Sequence, residues 1–134
     1  MKRKITAKLY EWKNMKKGRM PLLIYGARQV GKTWLMKEFG KQYYKKCAYI
    51  NFDDNSRMDK LFEDDFDLDK IIQGLKIESN VNIEPENTLI ILDEIQETPK
   101  ALKALKYFYV ANLILIHIIC KCSWLTIITI WHIG

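Results

Sequence analysis

The sequence predicts an α/β domain, a parallel sheet flanked by helices. Three observations predict it. Gly26-Ala27-Arg28-Gln29-Val30-Gly31-Lys32-Thr33 follows the pattern G-x-x-x-x-G-K-[ST], with a short apolar run before it and a helix-forming run after it. Thr88-Leu89-Ile90-Ile91-Leu92-Asp93-Glu94 is a four-residue apolar run ending in two carboxylates, and an unbroken run of this kind suits a strand buried on both faces. Strand-like and helix-like segments alternate along the chain, the order that gives a parallel sheet. At 134 residues the chain is one domain with room for a real core.

Residues 5–16 have Ile5, Leu9 and Trp12 at helical spacing, with lysines filling the outer face. A Lys/Gly turn leads to the first core strand, residues 22–25. A helix is expected from Lys32 to about Phe39, closed by Gly40. Residues 48–52 form a second strand, given β character by Tyr49, Ile50 and Phe52. An acidic irregular region follows, then a helix over 68–75 in which Gly74 is the weak point. Ile83-Glu84-Pro85-Glu86-Asn87 reads as a loop and residues 89–92 as the third strand. Pro99 suits the first turn of a helix reaching about Tyr109, with Leu102, Leu105 and Phe108 on one face. Residues 114–119 are the predicted fourth strand. No internal repeat or low-complexity tract interrupts this order.

The chemistry of the glycine loop follows from its residue types. Gly26 and Gly31 let the backbone approach an anion closely. The amide N–H groups of the loop then form a nest at the positive end of the following helix. Lys32 is a flexible point charge suited to the β- and γ-phosphates. The Thr33 hydroxyl suits Mg2+, a hard ion that prefers oxygen ligands. Ala27, Arg28, Gln29, Val30 and Trp34 complete the expected nucleotide contact. Ligands in parallel sheets bind beyond the carboxyl ends of the strands, where Asp93 and Glu94 emerge. Asp93 is the expected second metal ligand, and Glu94 the group to orient or deprotonate an attacking water. The pair of motifs points to a nucleoside triphosphate. No guanine-reading N-K-x-D string occurs, which favours ATP.

The stretches PLLIYGARQVGKTWLMKEFG, YINFDDN and LIILDEIQETPKALKALKYFY resemble the prokaryotic AAA+ superfamily ATP-binding proteins. The resemblance covers residues 5–109 and implies a P-loop fold, ATP with Mg2+, and ATP hydrolysis. It implies no substrate. Beyond Tyr109 the family pattern continues into a strand resembling YHIICAGSLLG, whose polar end senses the γ-phosphate. Here His117 to Cys120 still matches HIIC, but Lys121-Cys122-Ser123 stands in place of AGS. The expectation is a partial AAA+ core, truncated or frame-shifted after about Tyr109. Its parts are a basic helix over residues 1–20, an ATP-binding core over 21–119 and an aberrant apolar tail over 120–134. Without a sensor residue or arginine finger, slow or absent ATP turnover is expected. The alternative reading is a nucleotide-binding remnant without enzymatic activity.

Charge is unevenly spread. Residues 1–46 carry fourteen Lys/Arg against two acids, and residues 47–109 seven against fourteen acids. The basic end makes nucleic acid a weakly supported partner, since no aromatic-basic interleaving marks a base-stacking surface. The acidic stretch lacks the glycine and terminal glutamate of a calcium loop and reads as a solvated loop and helix start. Three cysteines, an odd number, argue against a disulfide scaffold and suit a reducing cytoplasm. Cys120, Cys122, His117 and His132 match no zinc spacing. Residues 110–133 are apolar enough to promote self-association. They are also long enough to span a bilayer, which takes roughly 20 residues. Lys121 in their middle and their wealth of β-branched residues favour a buried strand over a membrane helix. No secretory signal follows Met1-Lys2-Arg3-Lys4.

Overall fold

A computed structural model describes residues 2–15, 21–25, 32–63, 67–110 and 117–122. Helix α1 (Lys2–Lys13) is followed by β1 (Leu22–Tyr25), α2 (Lys32–Tyr43), β2 (Lys46–Asn51), α3 (Ser56–Leu61) and α4 (Leu68–Ser79). Strand β3 (Thr88–Asp93), a single 3-10 turn over Ile95–Glu97, α5 (Pro99–Val110) and β4 (His117–Cys122) complete the order. The four strands form one parallel sheet in the order β1-β4-β3-β2. This is the predicted α/β architecture.

The sheet has helices on both faces because its strands alternate two apolar sets. Leu22, Ile24, Leu89, Ile91 and Ile119 face Leu9 and Trp12 of α1 and Met36 and Phe39 of α2. Leu23, Ala48, Ile50, Ile90, Leu92 and Ile118 face Met58 of α3, Ile71 and Leu75 of α4, and Ala101, Ala104 and Leu105 of α5. Every residue of β3 is buried, as the unbroken apolar run requires. Each large apolar side chain buried this way contributes on the order of 1.5–3 kcal/mol, so β3 anchors the domain.

Several boundaries differ from the sequence reading. Helix α2 runs through Gly40 to Tyr43. Gly40 does not end the helix; it lets the helix approach the sheet, since a Cβ there would lie 2.9 Å from Cys47 Sγ and 3.2 Å from Leu89 Cδ2. Gly74 does the same for α4 against Leu61 of α3. The acidic region contains α3, begun by Asn55, whose side chain accepts from the Met58 N–H at 3.2 Å. Six residues are too few to show a helical period. Asp67 caps α4 by accepting from the N–H groups of Asp69 and Lys70. Strand β4 runs to Cys122, past the predicted end at residue 119, so Lys121 belongs to the sheet. Residues 111–116 and 123–134 lie outside the described residues, as does most of the segment weighed as a membrane span. No helix among the described residues is long and apolar enough to cross a membrane.

Candidate functional site

All four strands are parallel, so their carboxyl ends lie along one edge of the sheet. The chain passes from β1 to β2 on the far side and returns through β3 to β4, which inserts beside β1. The resulting crevice is where open α/β sheets bind ligands. At this edge Ile24, Lys121, Asp93 and Asn51 stand in one register row across β1, β4, β3 and β2. The row's side chains alternate with those facing α3–α5, which puts Lys121 and Asp93 on the α2 side of the sheet.

The predicted pair Thr33 and Asp93 meets. Thr33, in the first turn of α2, donates its hydroxyl to Asp93 Oδ2 at 3.1 Å, across 60 residues of sequence. Tyr49 of β2 donates to the same oxygen at 2.5 Å. Burial, and then the hydrogen bond to Asp93, raise the Tyr49 phenol well above its ordinary value, so it stays a donor. The Lys37 ammonium sits 3.9 Å from the centre of the Tyr49 ring and fixes its plane. Asp93 Oδ1 is buried and accepts no hydrogen bond among the described residues. It faces the Lys121 ammonium at 3.5 Å.

Glu94 is the other predicted carboxylate. It lies just past β3, buried, with φ 55° and ψ 43°, a left-handed conformation uncommon for a residue with a side chain. That backbone turn directs it toward the same pocket: Lys121 Nζ lies 3.5 Å from Glu94 Oε1, and Gln96 Nε2 donates to the same oxygen at 3.4 Å. Strain of this kind, about 1–3 kcal/mol, persists only where surrounding contacts hold it. Here the Glu97 N–H bonds back to the Glu94 carbonyl at 3.1 Å.

Trp34, on the first turn of α2, is exposed. Gly26, Ala27, Arg28, Gln29, Val30 and Gly31, and the side chain of Lys32, lie outside the described residues. Their flanks are described: β1 ends at Tyr25 and α2 begins at Lys32, so the loop connects a strand end to a helix start. His117 Nδ1 shares a hydrogen bond of 2.6 Å with the Tyr44 hydroxyl, while Cys120 packs on the opposite face of β4; His132 and the side chain of Cys122 lie outside the described residues. Among the described residues no group of three or more His, Cys, Asp and Glu could hold a metal ion.

Sequence reasoning missed Lys121, Tyr49 and Gln96 as parts of the site. Lys121 shares a face of β4 with His117 and Ile119, a two-residue period readable only once the strand is known to reach Cys122.

The strand-loop-helix unit, the acidic strand end and the sheet order define a nucleotide-binding P-loop class of protein. A family model described as an AAA domain matches residues 18–128, and the chain belongs to that family. No curated protein matches the sequence. Among solved structures, Caenorhabditis elegans PCH-2 is similar, at a TM-score of 0.61 and 14% identity, over 99% of this chain and 42% of that one. AMPPCP-bound DnaA from Aquifex aeolicus matches at a TM-score of 0.47 and 17% identity, over 89% of this chain and 36% of that one. The chain therefore spans less than half the length of either protein, and the likeness to PCH-2 is one of fold.

Proposed function

We propose that the chain binds ATP with Mg2+, through residues 26–33 and Asp93, and hydrolyses it slowly with Glu94 as the water-orienting group. The observation that carries this reading is the 3.1 Å hydrogen bond between Thr33 and Asp93. It joins the last residue of the glycine loop to the acidic strand end, and two hard oxygens side by side are the donor set Mg2+ takes.

In this reading Thr33 and Asp93 hold the ion, which neutralises phosphate charge when bound. Lys32 draws the β- and γ-phosphates onto the helix start and stabilises charge on the transferring group. The Glu94 carboxylate accepts a proton from water. Its Oε1 is already engaged by Lys121 and Gln96, so that oxygen is less available to hold a water and turnover is slow. Phosphoryl transfer depends on positioning and electrostatics, and the remnant reading corresponds to this site binding without turning over. The proposed division keeps a basic N-terminal segment, residues 1–20, ahead of the binding core, which starts at residue 21 and extends beyond 119 to take in the whole of β4.

The test is binding of a fluorescent ATP analogue in the presence of Mg2+, wild type beside Lys32→Ala. Loss of binding in the variant supports the assignment, and equal affinity in both proteins removes it. Glu94→Gln is expected to keep binding and to stop hydrolysis; unchanged turnover sinks the role given to Glu94.

A further inference from the structure

We infer that Lys121 is a tethered cation in the metal site, one that competes with a divalent ion for Asp93 and Glu94. The consequence is nucleotide binding that depends little on Mg2+. This inference rests on the nucleotide-site reading and concerns how that site is charged.

The geometry is specific. Lys121 stands directly opposite Asp93 in the β3–β4 register and on the same face of the sheet. Its ammonium lies 3.5 Å from Asp93 Oδ1 and 3.5 Å from Glu94 Oε1. The Lys121 side chain is 6% exposed and those of Asp93 and Glu94 5% and 8%, so the three charges lie together largely out of solvent. The oxygen of Asp93 that faces the ammonium is the one left without a hydrogen bond, while the other is taken by Thr33 and Tyr49. The lysine thus sits at the coordination face of the carboxylate that a divalent ion would use.

Two carboxylates without the lysine carry a formal charge of −2, which a dication matches. With the lysine the trio is −1, and a dication must share Asp93 with an ammonium already in place. Like charges crowded into a site of low dielectric repel strongly. The side chain is buried and its ammonium pairs with both acids, which opposes its use as a phosphate ligand. Lys121 is therefore a positioning residue that acts through Asp93 and Glu94. Its ammonium supplies part of the neutralisation that the metal would supply, and phosphate binding is left to the glycine loop and Lys32.

The experiment has two arms on the full chain. Mn2+ binding without nucleotide is followed by the loss of the free Mn2+ electron paramagnetic signal, for wild type, Lys121→Met and the charge-keeping Lys121→Arg. Lys121→Met is expected to bind Mn2+ at least about tenfold more tightly than wild type, and Lys121→Arg to stay as weak as wild type. Equal Mn2+ affinity in wild type and Lys121→Met overturns the inference. The second arm needs wild type alone: affinity for a fluorescent ATP analogue in EDTA against excess Mg2+. A change below about threefold is expected, and tightening by Mg2+ of about tenfold or more overturns the inference even if Lys121→Met does not fold. If no nucleotide binds in either condition, the nucleotide reading fails, and the Mn2+ arm still decides the role of Lys121.

Discussion

Gly40 offers a sharp test of how α2 is seated, because α2 carries Thr33 into the site. Replacing a mid-helix glycine by alanine ordinarily stabilises a helix by about 1 kcal/mol. At Gly40 the added Cβ would lie 2.9 Å from Cys47 Sγ, 3.2 Å from Leu89 Cδ2 and 3.3 Å from Cys47 Cβ. Leu89 is fully buried on the central strand β3 and cannot turn away. The Cys47 Cβ is fixed to β2. Overpacking of this kind costs about 1–3 kcal/mol. The sum is a net loss of about 1 kcal/mol for Gly40→Ala, read as a lower urea midpoint at unchanged slope. The double variant with Cys47→Ala removes the closest contact, the sulfur, and is expected to recover about 1 kcal/mol as a coupling energy. The helix must also tip away from the sheet, which lengthens the Thr33–Asp93 hydrogen bond and weakens nucleotide affinity. A Gly40→Ala protein stabilised by the full helix-propensity gain, with no coupling to Cys47, refutes this packing argument. Gly74→Ala is the internal control. There the obstruction is the end of the half-buried Leu61, with Cδ2 at 2.6 Å and Cγ at 3.0 Å, and this side chain can swing outward. Its stability is expected to stay within about 1 kcal/mol of wild type, the gain and the displaced leucine offsetting each other.

Tyr49→Phe removes one of two donors to Asp93 Oδ2 and is expected to cost about 1–2 kcal/mol by chemical denaturation, with Thr33 still in place. Asp67→Ala removes the cap of α4 and is expected to cost about 1 kcal/mol, whereas Asp67→Asn is expected to be near neutral. The Arg57 guanidinium holds Glu78 below its ordinary carboxylate value, through paired hydrogen bonds of 2.8 and 2.9 Å. A lowered folded value means the stabilisation is fully present above the ordinary value of about 4.3, and is lost as the pH falls through the folded one. Glu78→Gln should therefore flatten that part of the acid limb in a stability-against-pH profile.

The legible and illegible parts of this molecule divide by range in the sequence. Residues 26–33 and 88–94 could be read because each is a contiguous string whose flanks confirm it: an apolar run before, a helical run after. The buried strand β3 needed nothing beyond four apolar residues in a row. Helix α3 was hidden because six residues do not establish a 3.6-residue period, and its stability comes from Asn55 reaching Asn51 and Glu78 as well as Met58. Gly40 misled because glycine ends many helices, and only the packing of α2 on Cys47 and Leu89 shows why it sits inside one. Tyr49 and Lys121 were invisible for a different reason. Each reaches Asp93 across a strand pairing, and the register that brings it there is a property of the folded sheet. Local pattern therefore located the carboxylate, while its three neighbours came from three other elements.

That division has a consequence for how the site is controlled. In a sheet of order β1-β4-β3-β2, Lys121 near the carboxyl end of β4 pairs at once with Ile24, on the strand that leads into the glycine loop, and with Asp93 itself. Its side chain sets the charge of the crevice without altering the fold's backbone. A lysine there is tolerated in the core only because two carboxylates surround it, and removing one partner of a buried pair typically costs about 3–5 kcal/mol. The same two carboxylates are what a divalent ion requires. Under the proposed metal binding, fold stability and ion affinity draw on a shared set of charges, and strengthening one weakens the other. In Lys121→Met the loss is felt as two adjacent buried carboxylates, a penalty that a bound divalent ion relieves. At an ion concentration a hundredfold above its dissociation constant, the relief is about 2.7 kcal/mol, most of what the lysine contributed. Under the proposed competition, one side chain at one register position decides whether this edge of the sheet is stabilised from within or by a bound ion.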